Sequence, residues 1–237
     1  MPSGLLYSKD HLKLMSAVFS TDEFTLTESS NGDISEIKRQ SKRLFNSEDP
    51  IDKLVGLTCL TRLKQVDEKI FYCALNSEEP RLFKRTLDLA IMHNYDHLLE
   101  NDRTVEFVTN IVLSSNDTKV IWGFNFLSEV PQYLDIRSCN IGTAILNTHE
   151  NYLCRESAAA FLGVMANYGH TDSLNHLVSH CLDDKVQVKR RALIALGNFD
   201  PELVVEFEGN KQSLRDFFTF MKKSSDLQLA QIAEDLY

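Results

Sequence analysis

Glycine and proline are scarce in this chain, 9 and 5 among 237 residues. So little punctuation disfavours a fold of many tight β-turns and points to long helices. The 5 cysteines are odd in number and include no Cys-x-x-Cys, the usual spacing of a zinc or dithiol site. Most sit among apolar neighbours, as Cys59 does between Thr58 and Leu60. They read as small buried hydrophobes in a reducing compartment. No apolar run approaches the roughly 18 residues that span a bilayer. Leu5-Leu6 is followed at once by Lys9, Asp10, His11 and Lys13, so no signal peptide is expected. These absences predict a cytoplasmic protein with no membrane partner. Catalytic signatures are missing too: there is no Gly-x-Ser-x-Gly, no phosphate-binding Gly-x-x-x-x-Gly-Lys and no dinucleotide fingerprint. The expectation is a protein that is not an enzyme and holds no cofactor. Cations are outnumbered, 25 against 34 acids, for a net charge of −9. Phosphate repels such a chain at long range, so nucleic acid is a poor default partner.

What is present is a repeat. A short polar phrase recurs at Asn46 to Pro50, Asn76 to Pro80, Ser114 to Thr118, Thr148 to Tyr152, Leu182 to Val186 and Lys223 to Leu227. With the fourth residue as anchor, the copies stand at 49, 79, 117, 151, 185 and 226. The spacings of 30, 38, 34, 34 and 41 suit a helical-hairpin repeat better than a propeller blade. Asp, Asn and Ser offer oxygens to the free amides of a helix start. Pro50 and Pro80 suit the first helical position, where the missing N–H costs nothing. After each phrase the apolar residues follow helical spacing, as with Leu82, Leu87, Leu89, Ala90 and Met92. Amphipathic segments at 104–113, 172–182 and 211–221 precede phrases and supply partner helices.

Leu182-Asp-Asp-Lys-Val-Gln-Val-Lys-Arg-Arg-Ala-Leu-Ile-Ala-Leu-Gly197 resembles the HEAT-repeat signature, and Arg155 to Gly163 is a second match. The resemblance spans about residues 140–200 and is degenerate over 46–130. It implies an all-α fold, a right-handed α-solenoid of about six helical-hairpin HEAT-like repeats. Residues 1–45 read as an N-terminal helical cap and loop, with an acidic Ser/Thr-rich loop at 20–33. Residues 46–237 read as one continuous array.

Several residues invite a functional reading. His93 and His97, and His176 and His180, are spaced to share a helix face, as a metal pair requires. Neither pair carries the Glu of a His-Glu-x-x-His motif, and the expected metal content is none. Lys185, Lys189, Arg190 and Arg191 form a basic cluster. It either bonds the acidic turn at Asp183 and Asp184 or meets an acidic partner. Trp122, the sole tryptophan, is a core residue or a partner-binding anchor. In HEAT-like stacks the second helices line the concave face. Here those are 81–92, 119–129, 155–167 and 186–198. Lys84, Arg85, Lys119, Arg155, Lys189 and Arg190 are expected to face solvent there. They make either a locally basic binding ridge or cations that pair with neighbouring turns.

The resemblance implies a non-enzymatic protein–protein interaction module such as an adaptor, and the net charge of −9 alone suggests an immunity-type inhibitor of a basic partner. Two rivals come from the same resemblance. One is a HEAT-like DNA glycosylase or other nucleic-acid-binding protein, from which this chain departs in its acidity and single Trp122. The other is a HEAT-like phycobilin lyase subunit, for which no residue specifies a tetrapyrrole.

Overall fold

The computed structural model describes residues 9–20, 32–92, 102–114 and 116–236. The chain is mostly helical, with thirteen α-helices and one β-hairpin among the described residues. No described helix is long and apolar enough to cross a membrane. The chain divides into two compact units, Met1–Leu98 and Leu99–Tyr237. The expected boundary between residues 45 and 46 falls inside the first unit.

In the first unit, α1 (Lys9–Ser20), α2 (Gly32–Phe45), α3 (Pro50–Arg62), α4 (Glu68–Leu75) and α5 (Pro80–Met92) follow one another. The helix start at α3 is fixed locally. The Asp49 carboxylate accepts from the Ile51 and Asp52 N–H groups, and Pro50 takes the first position. Asp67 caps α4 in the same way through the Ile70 N–H. α2 pairs with α3, α4 pairs with α5, and α3 lies beside α5. α1 closes over α3, where Leu14 and Val18 pack with Val55, Cys59 and Leu63.

Gly56 lets α2 and α3 touch backbone to backbone. A Cβ there would meet the Phe45 N and lie 2.7 Å from the Ser41 carbonyl oxygen. Backbone cannot rotate away as a side chain can. Gly56→Ala is therefore expected to destabilise the chain by about 1–3 kcal/mol, despite the better helix propensity of Ala. Urea unfolding measures this, and a neutral or stabilised variant would show that the two helices stand further apart.

The second unit holds α6 (Asp102–Val112), α7 (Asp117–Glu129), α8 (Ile136–Thr148), α9 (Tyr152–Ala166), α10 (Leu174–His180), α11 (Val186–Leu196), the strands β1 (Val204–Phe207) and β2 (Asn210–Ser213), then α12 (Leu214–Met221) and α13 (Leu227–Leu236). The pairs are α6 with α7, α8 with α9, α10 with α11 and α12 with α13. The later helix of each pair also packs on that of the next, so α7, α9, α11 and α13 form a row. All six polar phrases lie at the start of such a later helix. The third anchor moves by one residue, because Asn116, not Asp117, caps α7 through the Lys119 N–H. The core of the row is Phe124, Phe126, Phe161, Leu162, Leu193 and Leu196, each at most 1% exposed.

The hairpin departs from the expected helix over 211–221. β1 and β2 are antiparallel, with Val204 opposite Ser213 and Phe207 opposite Asn210. Glu208 and Gly209 join them, with φ of 51° and 77°. Two left-handed residues make a tight turn that matches strand twist, and glycine takes the second place. Val205 and Phe207 point inward, and the Phe207 ring lies 5.1 Å from that of Phe217. The helix then starts at Leu214, capped by the Ser213 hydroxyl.

Candidate functional site

Polar side chains of successive turns join into a spine along the second unit. At the first step, Asn151 Nδ2 donates to Asp117 Oδ2 at 2.6 Å, while its own Oδ1 caps α9. At the next step stands Arg155, early in α9. Its Nη1 donates to the His149 and Glu150 carbonyls of its own turn at 2.9 and 3.0 Å. Its Nε and Nη2 take the two Asp183 oxygens at 3.0 and 2.9 Å, and Nη2 also reaches Asp184 Oδ1 at 2.9 Å. The side chains of Arg155 and Asp183 are 12% and 5% exposed. Burial pushes the Asp183 carboxyl up, but hydrogen bonds from Arg155, the Lys185 backbone N–H and His180 outweigh it. They hold the group well below the usual carboxylate range.

The imidazoles are drawn into this spine. His180 Nδ1 lies 3.0 Å from Asp183 Oδ2 and its Nε2 lies 3.1 Å from Asn147 Oδ1. Asn147 Nδ2 meets His176 Nδ1 at 3.0 Å. Both nitrogens of His180 are thus committed to protein partners, which leaves the pair no common lone-pair site for a metal. His93 and His97 lie outside the described residues. Among the described residues one trio brings ligand atoms together: those of Asp117, His149 and Cys154 lie within 4.8 Å of one another. The donor chemistry opposes a metal. His149 Nδ1 accepts from the Asn151 N–H at 3.1 Å, so Nε2, which faces Asp117, carries the ring proton. Burial raises the Cys154 thiol to about 11, and its Sγ donates to the Asp117 carbonyl. A thiol and an N–H are not ligands until both lose a proton. This trio was not singled out from the sequence. Its signal was there in the recurring phrases, which supply both Asp117 and the 148–152 turn.

The expected solvent-facing cations are more enclosed than the ridge requires. Lys84 and Arg85 belong to the first unit, and Lys84 pairs with Asp88 at 2.9 Å along its own helix. The other four lie in the second unit. Lys119 is only 7% exposed, because it sits on the packed side of the first turn of α7. Arg155 is consumed by the turns. Lys189 and Arg190 are half-buried, and Arg190 Nε is buried without a hydrogen-bond partner. Within the basic cluster, Lys185 bonds Asp184 at 2.8 Å and Arg191 reaches Glu156 at 3.8 Å.

A second set of side chains shares one register along the row. Trp122, Ser157 and Arg191 are each the sixth residue after their N-caps Asn116, Asn151 and Lys185. Ala160 and Ile194 come three residues later on their helices, and Val164 follows four after Ala160. Trp122, Ser157, Ala160 and Val164 are half-buried, and Ile194 is 43% exposed. The same positions on the other helices are the exposed polar residues Asn125, Glu129 and Asn198, so the register gives a mixed face with Trp122, Ala160, Val164 and Ile194 as its apolar members. The Arg191–Glu156 pair crosses this face. Compared with known proteins, the chain matches no family model and no curated protein sequence.

Proposed function

We propose that the chain is a HEAT-like α-solenoid that works as a non-enzymatic protein–protein interaction module in the cytoplasm. The observation that carries the reading is the row of α7, α9 and α11, on which Trp122, Ala160, Val164 and Ile194 share one register and Ile194 is 43% exposed. Paired helices stacked through their later members present a broad face whose side chains define the partner. Trp122 supplies an aromatic anchor beside small residues, the composition of an interface centre rather than of a charged rim. Four of the five free cysteines are buried, which suits a reducing compartment. The net charge of −9 speeds encounter with a basic partner, so an adaptor or an inhibitor of a cationic protein fits best. The nucleic-acid reading has weaker support, since Arg155 and Arg191 are engaged with carboxylates.

The test is a photo-crosslinking residue at position 194, with one at exposed Leu182 as control. A discrete protein adduct from 194 alone is expected in native extract. Ile194→Asp should weaken capture of that protein about tenfold or more, from the lost burial of one large aliphatic side chain. Equal adducts from both positions, or tight duplex DNA binding at physiological salt, would overturn the reading.

A further inference from the structure

Contacts along the row repeat in register. Gly163 is the twelfth residue after the α9 cap Asn151, and a Cβ on it would lie 2.8 Å from the Cβ of Ala195, the tenth after Lys185. Gly197 is the twelfth after Lys185. A Cβ there would lie 2.5 Å from Leu236 Cδ2, and Leu236 is the tenth residue after Asp226. Asp226 caps α13 through the Gln228 and Leu229 N–H groups. α11 therefore meets α13 as α9 meets α11.

The same register applies at the turns. Arg155 is the fourth residue after its cap, and it grips Asp183 and Asp184, two and one residues before the next cap. One step on, the fourth residue after Lys185 is Lys189. The residues two and one before Asp226 are Ser224 and Ser225. Lys189 is half-buried, and among the described residues no carboxylate lies within ion-pair distance of its ammonium. The first step has a cation bonded to two acids, and the matching positions of the second hold a cation and two hydroxyls.

We propose that Ser225 is a phosphorylation site and that its phosphate completes this step by pairing with Lys189. Ser225 is exposed, whereas Ser224 is half-buried and its Oγ accepts from the Asp226 N–H at 3.2 Å. Ser225 holds the place of Asp184, a residue whose side chain is 67% exposed and still reaches Arg155. Phosphoserine is longer than aspartate. It carries about −1.5 to −2 charge and three acceptor oxygens, which suits a lysine that lacks the guanidinium fork. The phosphate also sits just ahead of the first turn of α13, where the helix dipole favours an anion. Lys222 is taken by Glu234 at 3.2 Å, and Lys223 is exposed beside the serine. Asp226 repels the phosphate, whereas the matching cap of the first step, Lys185, pairs with Asp184 at 2.8 Å; the Asp226 carboxylate is held on the Gln228 and Leu229 N–H groups.

The step is phosphoryl transfer by a separate protein kinase from a nucleoside triphosphate. Ser225 Oγ attacks the γ-phosphorus, and an O–P bond forms as the bond to the β,γ-bridging oxygen breaks. The nucleoside diphosphate leaves, and the hydroxyl proton passes to the kinase's base. The consequence is mechanical: the modification fastens the α12–α13 pair onto α11. It depends on the packing register, not on the proposed binding role.

The test uses the full chain with phosphoserine installed at 225, compared with unmodified chain, each with Lys189 and with Lys189→Met. Phosphoserine is expected to raise the melting temperature by about 2–4 °C and to slow amide exchange in α13. Both effects should vanish with Lys189→Met and persist with Lys189→Arg, which keeps the charge should the methionine variant fold poorly. No rise, a fall, or a rise that survives loss of the cation would overturn the proposal. Mass spectrometry of chain isolated from its native cells should find phosphate on Ser225. A chain always unmodified there would overturn it as a natural event.

Discussion

Arg155→Ala is expected to lower the melting temperature by about 6–12 °C, the shift of about 3 kcal/mol in a chain of this size. The cost has two sources. The forked bonds to Asp183 vanish, and a carboxylate whose side chain is 5% exposed is left without its cation. The His149 and Glu150 carbonyls lose their donor as well. Arg155→Lys should recover part of the loss, since it keeps the charge but not the fork. The exposed pairs Arg137–Asp135 and Arg215–Glu202 should cost about 1 kcal/mol or less when broken. pH dependence separates these cases. The Asp183 carboxyl is held below its unfolded value near 3.9. A depressed folded value stabilises the fold in full above the unfolded value. The contribution is then lost as pH falls through about 4 towards the folded value. Calorimetric melts at pH 7 and pH 3 should therefore show a smaller gap between wild type and Arg155→Ala at the lower pH. An equal gap would mean that packing of the arginine stem, not the ion pair, carries the effect.

Phe161→Ala should cost about 3–5 kcal/mol, the range for deleting a fully buried ring. Phe161 is 0% exposed in α9, and its ring centroid lies 5.3 Å from that of Phe124 in α7. Gly142 of α8 faces it so closely that a Cβ would lie 3.0 Å from Phe161 Cδ1. One ring thus fills the space where three helices meet. Phe161→Leu should cost less, because it leaves a smaller void. Chemical denaturation gives both values, and a loss under about 1 kcal/mol for the alanine variant would show that the three helices collapse into the gap.

The helix starts were legible because capping is local chemistry. Asp49, Asn151 and Asp226 each bond N–H groups within three residues, so the recurring phrases located the later helix of every pair. The apolar periodicity that followed was equally local. For Arg155 the sequence left two readings open, a solvent-facing ridge or pairing with a neighbouring turn, because its partners Asp183 and Asp184 lie 28 and 29 residues away. Only the fold brings that turn to it and takes it out of water. Lys119 was misplaced for a related reason: a lysine in a first turn reads as solvated unless the packed side of the helix is known. The hairpin was missed although Val204 to Phe207, the Glu208-Gly209 turn and the following residues carry a hairpin signal. The apolar spacing of 214–221 was extended backwards over it. The shared register of Trp122, Ala160 and Ile194 is a property of three helices together, and no single segment announces it.

The row of later helices also bears on how the second unit forms. Each helix in that row packs on its own pair partner and on its neighbours in the row. Bringing such partners together closes loops of only a few tens of residues, and the entropy of closure grows just logarithmically with loop length. Chains dominated by contacts this near in sequence cross their barrier in microseconds to milliseconds. Assembly can begin at any pair and spread both ways, with no distant strand to await.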